Sequence, residues 1–261
     1  MTTSMNEYIP RFLNVKRKVQ ETGDTYTIVL DETSKAEPGQ FFMLSVPGAG
    51  EAPISVASGT GRELEFTIRS VGKVTSAIRE RDRIGVRGPY GNAWPYDKYE
   101  NILAIAGGIG IPPVRSLIER MIDKGRGEQL EVLYGARTPE DIVYYSLIDS
   151  WSSNIRMRLT VDRGNTTWKG NVGFVTSLIG KSESPRNSAV FIIGPPLMMK
   201  NAVAEALKSG FREDRIFLSL ERRMECGIGV CGHCNIGHYY VCESGPIFPY
   251  SSVKQEPELF L

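Results

Sequence analysis

Ile102-Leu103-Ala104-Ile105-Ala106-Gly107-Gly108-Ile109-Gly110-Ile111-Pro112-Pro113-Val114 is the stretch on which the fold of this chain turns. Its first five residues are apolar and uncharged, too short for a helix and closed by glycines, so they read as a buried strand. Glycines then let the backbone turn sharply. A proline at the start of a helix gives up no hydrogen bond, because that N–H has no intrahelical partner. Val114, Leu117, Ile118, Met121 and Ile122 follow at the spacing of one apolar helix stripe, which Lys124-Gly125 stops. Strand, glycine turn and helix form the opening unit of an α/β domain.

Downstream the unit repeats. Apolar runs at 102–106, 130–134, 157–161, 190–193 and 216–220 predict five parallel strands, hence a doubly wound sheet. Thr138-Pro139-Glu140-Asp141 predicts a helix start, and Val203, Ala206 and Leu207 a helix ending at Gly210. Ligands of such sheets bind outside the carboxyl ends of the strands. Here those ends read Gly107-Gly108-Ile109-Gly110, Gly135-Ala136-Arg137, Asp162-Arg163-Gly164, Gly194-Pro195-Pro196 and Glu221-Arg222-Arg223. Most are glycine-rich or basic, which suits the close approach of a pyrophosphate. Residues 108–113 are similar to the dinucleotide fingerprint but lack its third glycine.

Upstream, short β-branched runs at 12–19, 26–30, 41–46, 54–57, 64–69 and 83–86 alternate with Pro38-Gly39, Pro47-Gly48 and Gly59-Thr60-Gly61, predicting a small antiparallel barrel or sandwich. Gly72-Lys73-Val74-Thr75 interrupts it and leads into a short helix at 76–80. A glycine turn opening a helix can offer N–H groups to an anion. Thr75 reads equally as an ordinary N-cap, and Lys73 as a solvated charge.

All four cysteines fall within residues 226–242. Cys226, Cys231 and Cys234 have the C-x₄-C-x₂-C spacing of plant-type [2Fe–2S] ferredoxins, with Cys242 as fourth ligand. Gly227, Gly229 and Gly232 allow a tight loop with N–H groups aimed at sulfur. Structural zinc competes, although zinc sites favour two separated short Cys pairs. Disulfides compete too, and His233 or His238 could replace a thiolate. Because the last strand ends at Leu220, the cysteine loop starts at the edge of the sheet that should hold the nucleotide.

With 31 basic and 30 acidic residues and no basic block, the chain has no electrostatic footprint for nucleic acid or an anionic membrane. Residues 1–8 are polar, without the apolar core of a signal peptide. The most apolar run, 102–114, is broken by glycines and prolines and cannot span a bilayer. Clustered cysteines and the lack of an export signal lead to the expectation of a cytoplasmic, reducing location.

Taken in order, these parts resemble the ferredoxin-NADP reductase superfamily, in its branch with a C-terminal [2Fe–2S] loop. That branch includes gamma subunits of soluble NiFe hydrogenases and sulfhydrogenases, the corresponding subunit of anaerobic sulfite reductase and the dihydroorotate dehydrogenase electron-transfer subunit. The matching segments are Pro38-Gly39-Gln40-Phe41, Glu51-Ala52-Pro53-Ile54-Ser55, Gly72-Lys73-Val74-Thr75, Arg87-Gly88-Pro89-Tyr90-Gly91-Asn92, Ala106-Gly107-Gly108-Ile109-Gly110, Tyr134-Gly135-Ala136-Arg137, Gly194-Pro195-Pro196-Leu197-Met198 and Leu220-Glu221-Arg222-Arg223-Met224. The seven-residue gap before Cys242 is most similar to the hydrogenase and sulfite-reductase members.

The resemblance implies an FAD-binding barrel at 1–98, an NAD(P)-binding α/β domain at 99–221 and a [2Fe–2S] segment at 222–261. It implies that Pro53, Ile54, Ser55 and the 72–75 turn hold FAD. It places Gly107, Gly108, Ile109, Gly110, Gly194, Pro195, Pro196 and Met198 beside NAD(P), with Arg137 and Arg163 near its phosphates and Glu221 near the nicotinamide. An ordinary salt bridge is the competing reading for Glu221. The chain departs from the family's Arg-x-Tyr-Ser flavin segment, having Ala52-Pro53-Ile54-Ser55 and neither the arginine nor the tyrosine. FAD is then expected to rest more on backbone and on Thr75. The implied function is a diaphorase subunit passing electrons between NAD(P)H, FAD and [2Fe–2S] and a partner redox subunit, hydrogenase-type first, sulfite-reductase or dihydroorotate-type second. A zinc-stabilised binding protein is the alternative from another class.

Overall fold

The computed structural model describes residues 8–260, so the polar start of the chain up to residue 7 lies outside the described residues. The first module is a six-stranded antiparallel sheet in the order β4-β3-β6-β1-β2-β5. Its strands are β1 Arg11–Gln20, β2 Thr25–Thr33, β3 Phe41–Val46, β4 Gly50–Ser55, β5 Glu63–Arg69 and β6 Arg83–Tyr90, with helix α1 Lys73–Arg79 before the last. A bulge at Val15/Arg17 splits β1, whose first half pairs with β6 and second half with β2. This switch curls the sheet until β4 and β5 approach each other around Ile28, Leu30, Phe42, Leu44, Phe66 and Ile84. The strand expected at 54–57 instead begins at Gly50, and Pro53 sits inside it opposite Met43. β4 is an edge strand, so the missing N–H of proline costs no ladder bond there.

The second module is a seven-stranded sheet in the order β10-β9-β8-β7-β11-β12-β15. It comprises β7 Ile102–Gly107, β8 Leu130–Ala136, β9 Arg156–Val161, β10 Asn171–Val172, β11 Ala189–Ile193, β12 Ile216–Ser219 and β15 Ile247–Pro249. The five strands expected from the apolar runs form its parallel centre. A two-residue parallel edge strand, β10, flanks one side, and β15 returns antiparallel to β12 on the other. Side chains alternate between the faces. Leu103, Ile105, Val190 and Ile192 pack towards helix α4 (Pro196–Lys208), while Ile102, Ala104, Phe191 and Ile193 pack towards helix α2 (Ile111–Asp123). α2 buries Val114, Leu117, Ile118 and Met121, the stripe read from the sequence.

The helix expected from Thr138 does not form. Pro139–Asp141 make one tight turn, Ile142 is extended and Tyr144 is left-handed (φ 62°), with only a short helix α3 later at Ile148–Ser152. Tertiary contacts override the local start signal. Tyr144 is buried, its hydroxyl bonded to that of Thr67 on β5 and its ring under the Arg115 guanidinium, 5.0 Å from the ring centroid. The backbone leaves the helical path to seat that side chain between the two modules.

After β12 come the two-residue hairpin strands β13 Asn235–Ile236 and β14 Tyr239–Tyr240, helix α5 Val241–Ser244, β15 and helix α6 Tyr250–Val253. No helix among the described residues is long and apolar enough to cross a membrane.

Candidate functional site: two adjoining cavities and a cysteine loop

The order β9-β8-β7-β11-β12 reverses direction between β7 and β11, and at such a switch point neighbouring loops diverge and leave a crevice. A cavity of about 520 Å³ opens there. Gly107, Gly108, Ile109 and Gly110 line it from the end of β7, and Gly194, Pro195, Pro196 and Met198 from the end of β11. Gly110 is required by packing, since a Cβ would lie 2.7 Å from the Ile193 carbonyl oxygen. Close approach of the two strands at the switch point thus supplies the reason for this glycine, and no third fingerprint glycine is needed.

Arg137 and Glu221 also line this cavity, whereas Arg163 does not. Asp162, the residue before it, does. Burial raises the Asp162 pKa, against the opposing charges of Arg163 and Arg137. Arg137 in turn pairs with Asp141 at 3.3 Å. The Phe174 and Leu197 side chains, both well exposed, add an apolar rim.

A second cavity, about 350 Å³, lies between the modules. Pro53, Ile54 and Ser55 form one wall, Thr67 and Arg69 of β5 another, and Thr75 a corner. Of the predicted glycine turn only Thr75 reaches the lining. Its hydroxyl accepts from the N–H groups of Val71 (3.1 Å) and Gly72 (3.0 Å), so it caps its own turn. Lys73 reaches back to the Gly48 carbonyl at 3.1 Å, and Val74 packs on the barrel core.

One arginine that the sequence reading passed over stands between the two cavities. Arg69, at the end of β5, lines both cavities. Its Nε lies 3.3 Å from Asp24 Oδ2, a charge contact without a directed hydrogen bond, as the buried Nε has no such partner. A basic residue three positions before a glycine turn was the available signal.

Besides Arg69, the two cavities share Ile109, Leu220, Glu221 and Arg222, so their occupants would touch. Among the described residues Glu221 forms no ion pair; it is exposed on its cavity side, while the protein packed around its carboxyl raises its pKa. Met224 and Pro246, at the two ends of the cysteine loop, belong to the wall of the second cavity.

The loop gathers four free cysteines as two pairs. Cys234 and Cys242, both buried, have sulfurs 3.3 Å apart, and Cys231 shares a thiol hydrogen bond with Cys226. The N–H groups of Ile228, Val230 and Cys231 approach Cys226 Sγ at 3.5, 3.4 and 3.4 Å, and that of Gly229 donates to Cys242 Sγ at 3.1 Å. Gly227, Gly229 and Gly232 have φ of +75°, +75° and +77°, and these left-handed turns point the amides inward. The His233 amide beside it holds the Cys231 thiol below its ordinary pKa. Burial, with Cys234 beside it, pushes Cys242 up to about 12.

Four thiolates this close repel one another unless a cationic core joins them. Two sulfur pairs suit a two-iron core better than one tetrahedral zinc, and the residues fit a [2Fe–2S] group. His238 packs on Tyr239, its ring centroid 3.9 Å away.

Comparison with known proteins agrees with this geometry. Residues 104–204 match the oxidoreductase NAD-binding domain, and residues 221–254 the iron–sulfur cluster binding domain of dihydroorotate dehydrogenase B. Sulfhydrogenase 2 subunit gamma of Pyrococcus furiosus is 37% identical over 246 residues, covering 85% of each chain. The protein of Thermococcus kodakarensis described as probable dihydroorotate dehydrogenase B (NAD(+)), electron transfer subunit, is 33% identical over 228 residues, covering 86% of this chain and 90% of that one. The fold matches that of an NADH-dependent reduced ferredoxin-NADP oxidoreductase with a TM-score of 0.74 at 24% identity, over 95% of this chain and 94% of the other. The chain belongs to the oxidoreductase family of sulfhydrogenase gamma and dihydroorotate dehydrogenase B electron transfer subunits, with a ferredoxin-NADP reductase-like NAD-binding domain followed by an iron–sulfur-binding domain.

Proposed function

We propose that this chain carries electrons between NADH, an FAD seated in the second cavity and a [2Fe–2S] cluster on Cys226, Cys231, Cys234 and Cys242, in exchange with a partner redox subunit. The observation that carries the reading is the shared wall. Two ligand-sized cavities meet at Leu220–Arg222, and the cysteine loop departs from that wall through Met224. When bound, flavin converts a two-electron hydride donor into single electrons, and the cluster carries them one at a time. The chain's own residues bind and orient. Pro53, Ile54 and Ser55 support the flavin ring, and Arg69 supplies the charge that β4 lacks. Glycine ends 107–110 and 194 admit the pyrophosphate. Glu221 sits where the two ligands meet, its pKa raised by the protein crowded around its carboxyl, so it can hold a proton there at higher pH than a free glutamate.

Charge at the adenosine end supports NADH over NADPH. A 2′-phosphate would face Asp162 and Asp141, with Arg137 already tied to Asp141 and Arg163 outside the cavity. A ribose hydroxyl can instead donate to a carboxylate.

A hydrogenase-type partner is favoured by the higher identity to sulfhydrogenase gamma. Dihydroorotate dehydrogenase is the second reading, favoured by the matched cluster-binding domain. A cluster of cysteines assigned to a metal group rather than to disulfides fits a reducing cytoplasm. Protein purified without oxygen, scanned in the visible and assayed for acid-released flavin and metal, tests the core of the proposal. About one FAD and two irons per chain are expected. Zinc with neither iron nor flavin overturns it. Co-purification from the native cell then identifies the partner.

A further inference from the structure

Arg87 is a buried charge that lines neither cavity. Arg87 of β6 has a side chain only 4% exposed, in the seam between the first module and the cysteine loop. Its fork meets Glu51 of β4 twice, Nε at 3.0 Å and Nη2 at 2.6 Å. Nη2 also donates to the backbone carbonyl of Cys226 at 3.1 Å, and Nη1 faces the Tyr90 hydroxyl at 3.4 Å. A guanidinium keeps its charge at every working pH. The contact is tight on the loop side as well, since a Cβ on Gly227 would lie 2.8 Å from Met43 of β3. Thus the strand bearing Pro53–Ser55 and the first cysteine of the loop are joined through one guanidinium.

We propose that the Arg87–Glu51 pair sets the reduction potential of the iron–sulfur centre, the cation favouring its reduced form and the carboxylate moderating that effect. The proposal rests on the assignment of the four cysteines to a [2Fe–2S] cluster. Reduction adds one electron to the cluster and makes its charge more negative by one unit, with the NADH-reduced flavin as donor. A shielded positive charge next to a ligand's own backbone stabilises the added electron, because few water dipoles screen it. Glu51 is the more exposed partner, at 27%, and its hydrogen bonds attach it to the cysteine loop only through Arg87. Its opposing effect is therefore the smaller of the two.

The signs give the test. Potentials are measured by EPR-monitored redox titration of the full chain purified anaerobically, with iron content measured alongside. Arg87→Gln should lower the potential, since it removes the cation and leaves the carboxylate. Glu51→Gln should raise it, since the cation is then unopposed. The double variant should fall between the two, and Arg87→Lys, which keeps the charge but loses the fork, should lie nearer the wild type than Arg87→Gln. A pair that only braces the loop would shift both single variants in the same direction or neither, and either result overturns the proposal. If Arg87→Gln fails to assemble a cluster, Glu51→Gln decides alone: an unchanged or lowered potential refutes the idea. Wild-type protein without iron would defeat the cluster assignment itself, an outcome distinct from same-sign shifts around an intact cluster.

Discussion

Replacing Arg115 by methionine should destabilise the chain by about 3–5 kcal/mol, the cost of breaking a buried ion pair by removing one partner. Arg115 projects from α2 and is held by Glu65 of β5 at 2.8 Å and by Glu119, one turn along its own helix, at 2.9 Å. All three side chains are shielded, at 11%, 13% and 9% exposure. Burial alone would lower the Arg115 pKa, but Tyr144, Glu119 and Glu65 together raise it well above its ordinary value. Methionine fills much of the stem volume, so the loss is electrostatic: Glu65 is left without a counter-charge, and Glu119 keeps only its longer contact with Arg62 at 3.6 Å. Glu119 still accepts from the Gly59 N–H at 2.7 Å and Glu65 has no such substitute, which puts most of the strain on β5. Urea denaturation followed by tryptophan fluorescence measures the difference as a shift in midpoint at constant slope. The triple variant Arg115→Met, Glu65→Gln, Glu119→Gln should recover most of the loss, because removing a whole buried charge cluster is often neutral. A single-variant loss below about 1 kcal/mol, the value of a surface pair, would refute the reasoning. A triple variant no better than the single one would do the same.

Asp162→Asn should improve the NADPH-to-NADH ratio of kcat/KM about tenfold, the order expected from relieving ~1–2 kcal/mol of like-charge repulsion at a partly exposed site; an unchanged ratio would remove Asp162 from the adenosine site. Cys234→Ser, at a buried position, should abolish iron binding and electron delivery to the partner, while bound flavin still bleaches on adding NADH. Glu221→Gln should flatten the pH dependence of stability. From about pH 4 up to the raised folded pKa the native state holds a proton that the unfolded chain has released, so wild-type stability falls as pH rises through that window. Melting temperatures of the two proteins across it measure the effect, and parallel curves would count against a desolvated Glu221.

Much of the fold was legible because its signals are local. Five largely apolar runs, two of them carrying one charge each (Glu131 and Arg158), read as buried strands, and the glycines at 107–110 and 194 sit where strand ends converge. Elements decided by distant partners were not. β10 and β15 are two and three residues long and exist through pairing with β9 and β12. The helix start at Thr138 is sound by itself but loses to the burial of Tyr144 against the other module. The clustering of the four cysteines within residues 226–242 was visible in their spacing. Arg69 and Arg87 were not, because each acts across the fold: Arg87 meets a carbonyl 139 positions away. A single charge in a sequence carries no sign of which side of a seam it will occupy.

The path of the C-terminal segment explains why the cluster site can serve both cavities. It leaves the sheet at the carboxyl end of β12, makes the cysteine loop and returns as β15 alongside the strand it left. The Leu220 N–H donates to the Pro246 carbonyl at 2.9 Å, closing the loop at its base. Asn92 then clamps the returning chain to the first module: its N–H donates to Gly245 O at 2.6 Å, and its side-chain amide bonds the Ser244 carbonyl and both backbone groups of Ile247, each at 2.9 Å. A loop tied to the nucleotide sheet at its base and to the flavin module by Arg87 and Asn92 cannot shift relative to one cavity without straining its ties to the other. Electron exchange inside the chain is then a matter of fixed geometry. The outward side is left open at Cys231 and at Val230, which is 69% exposed, and that is the side on which a partner can meet the cluster without disturbing either cavity.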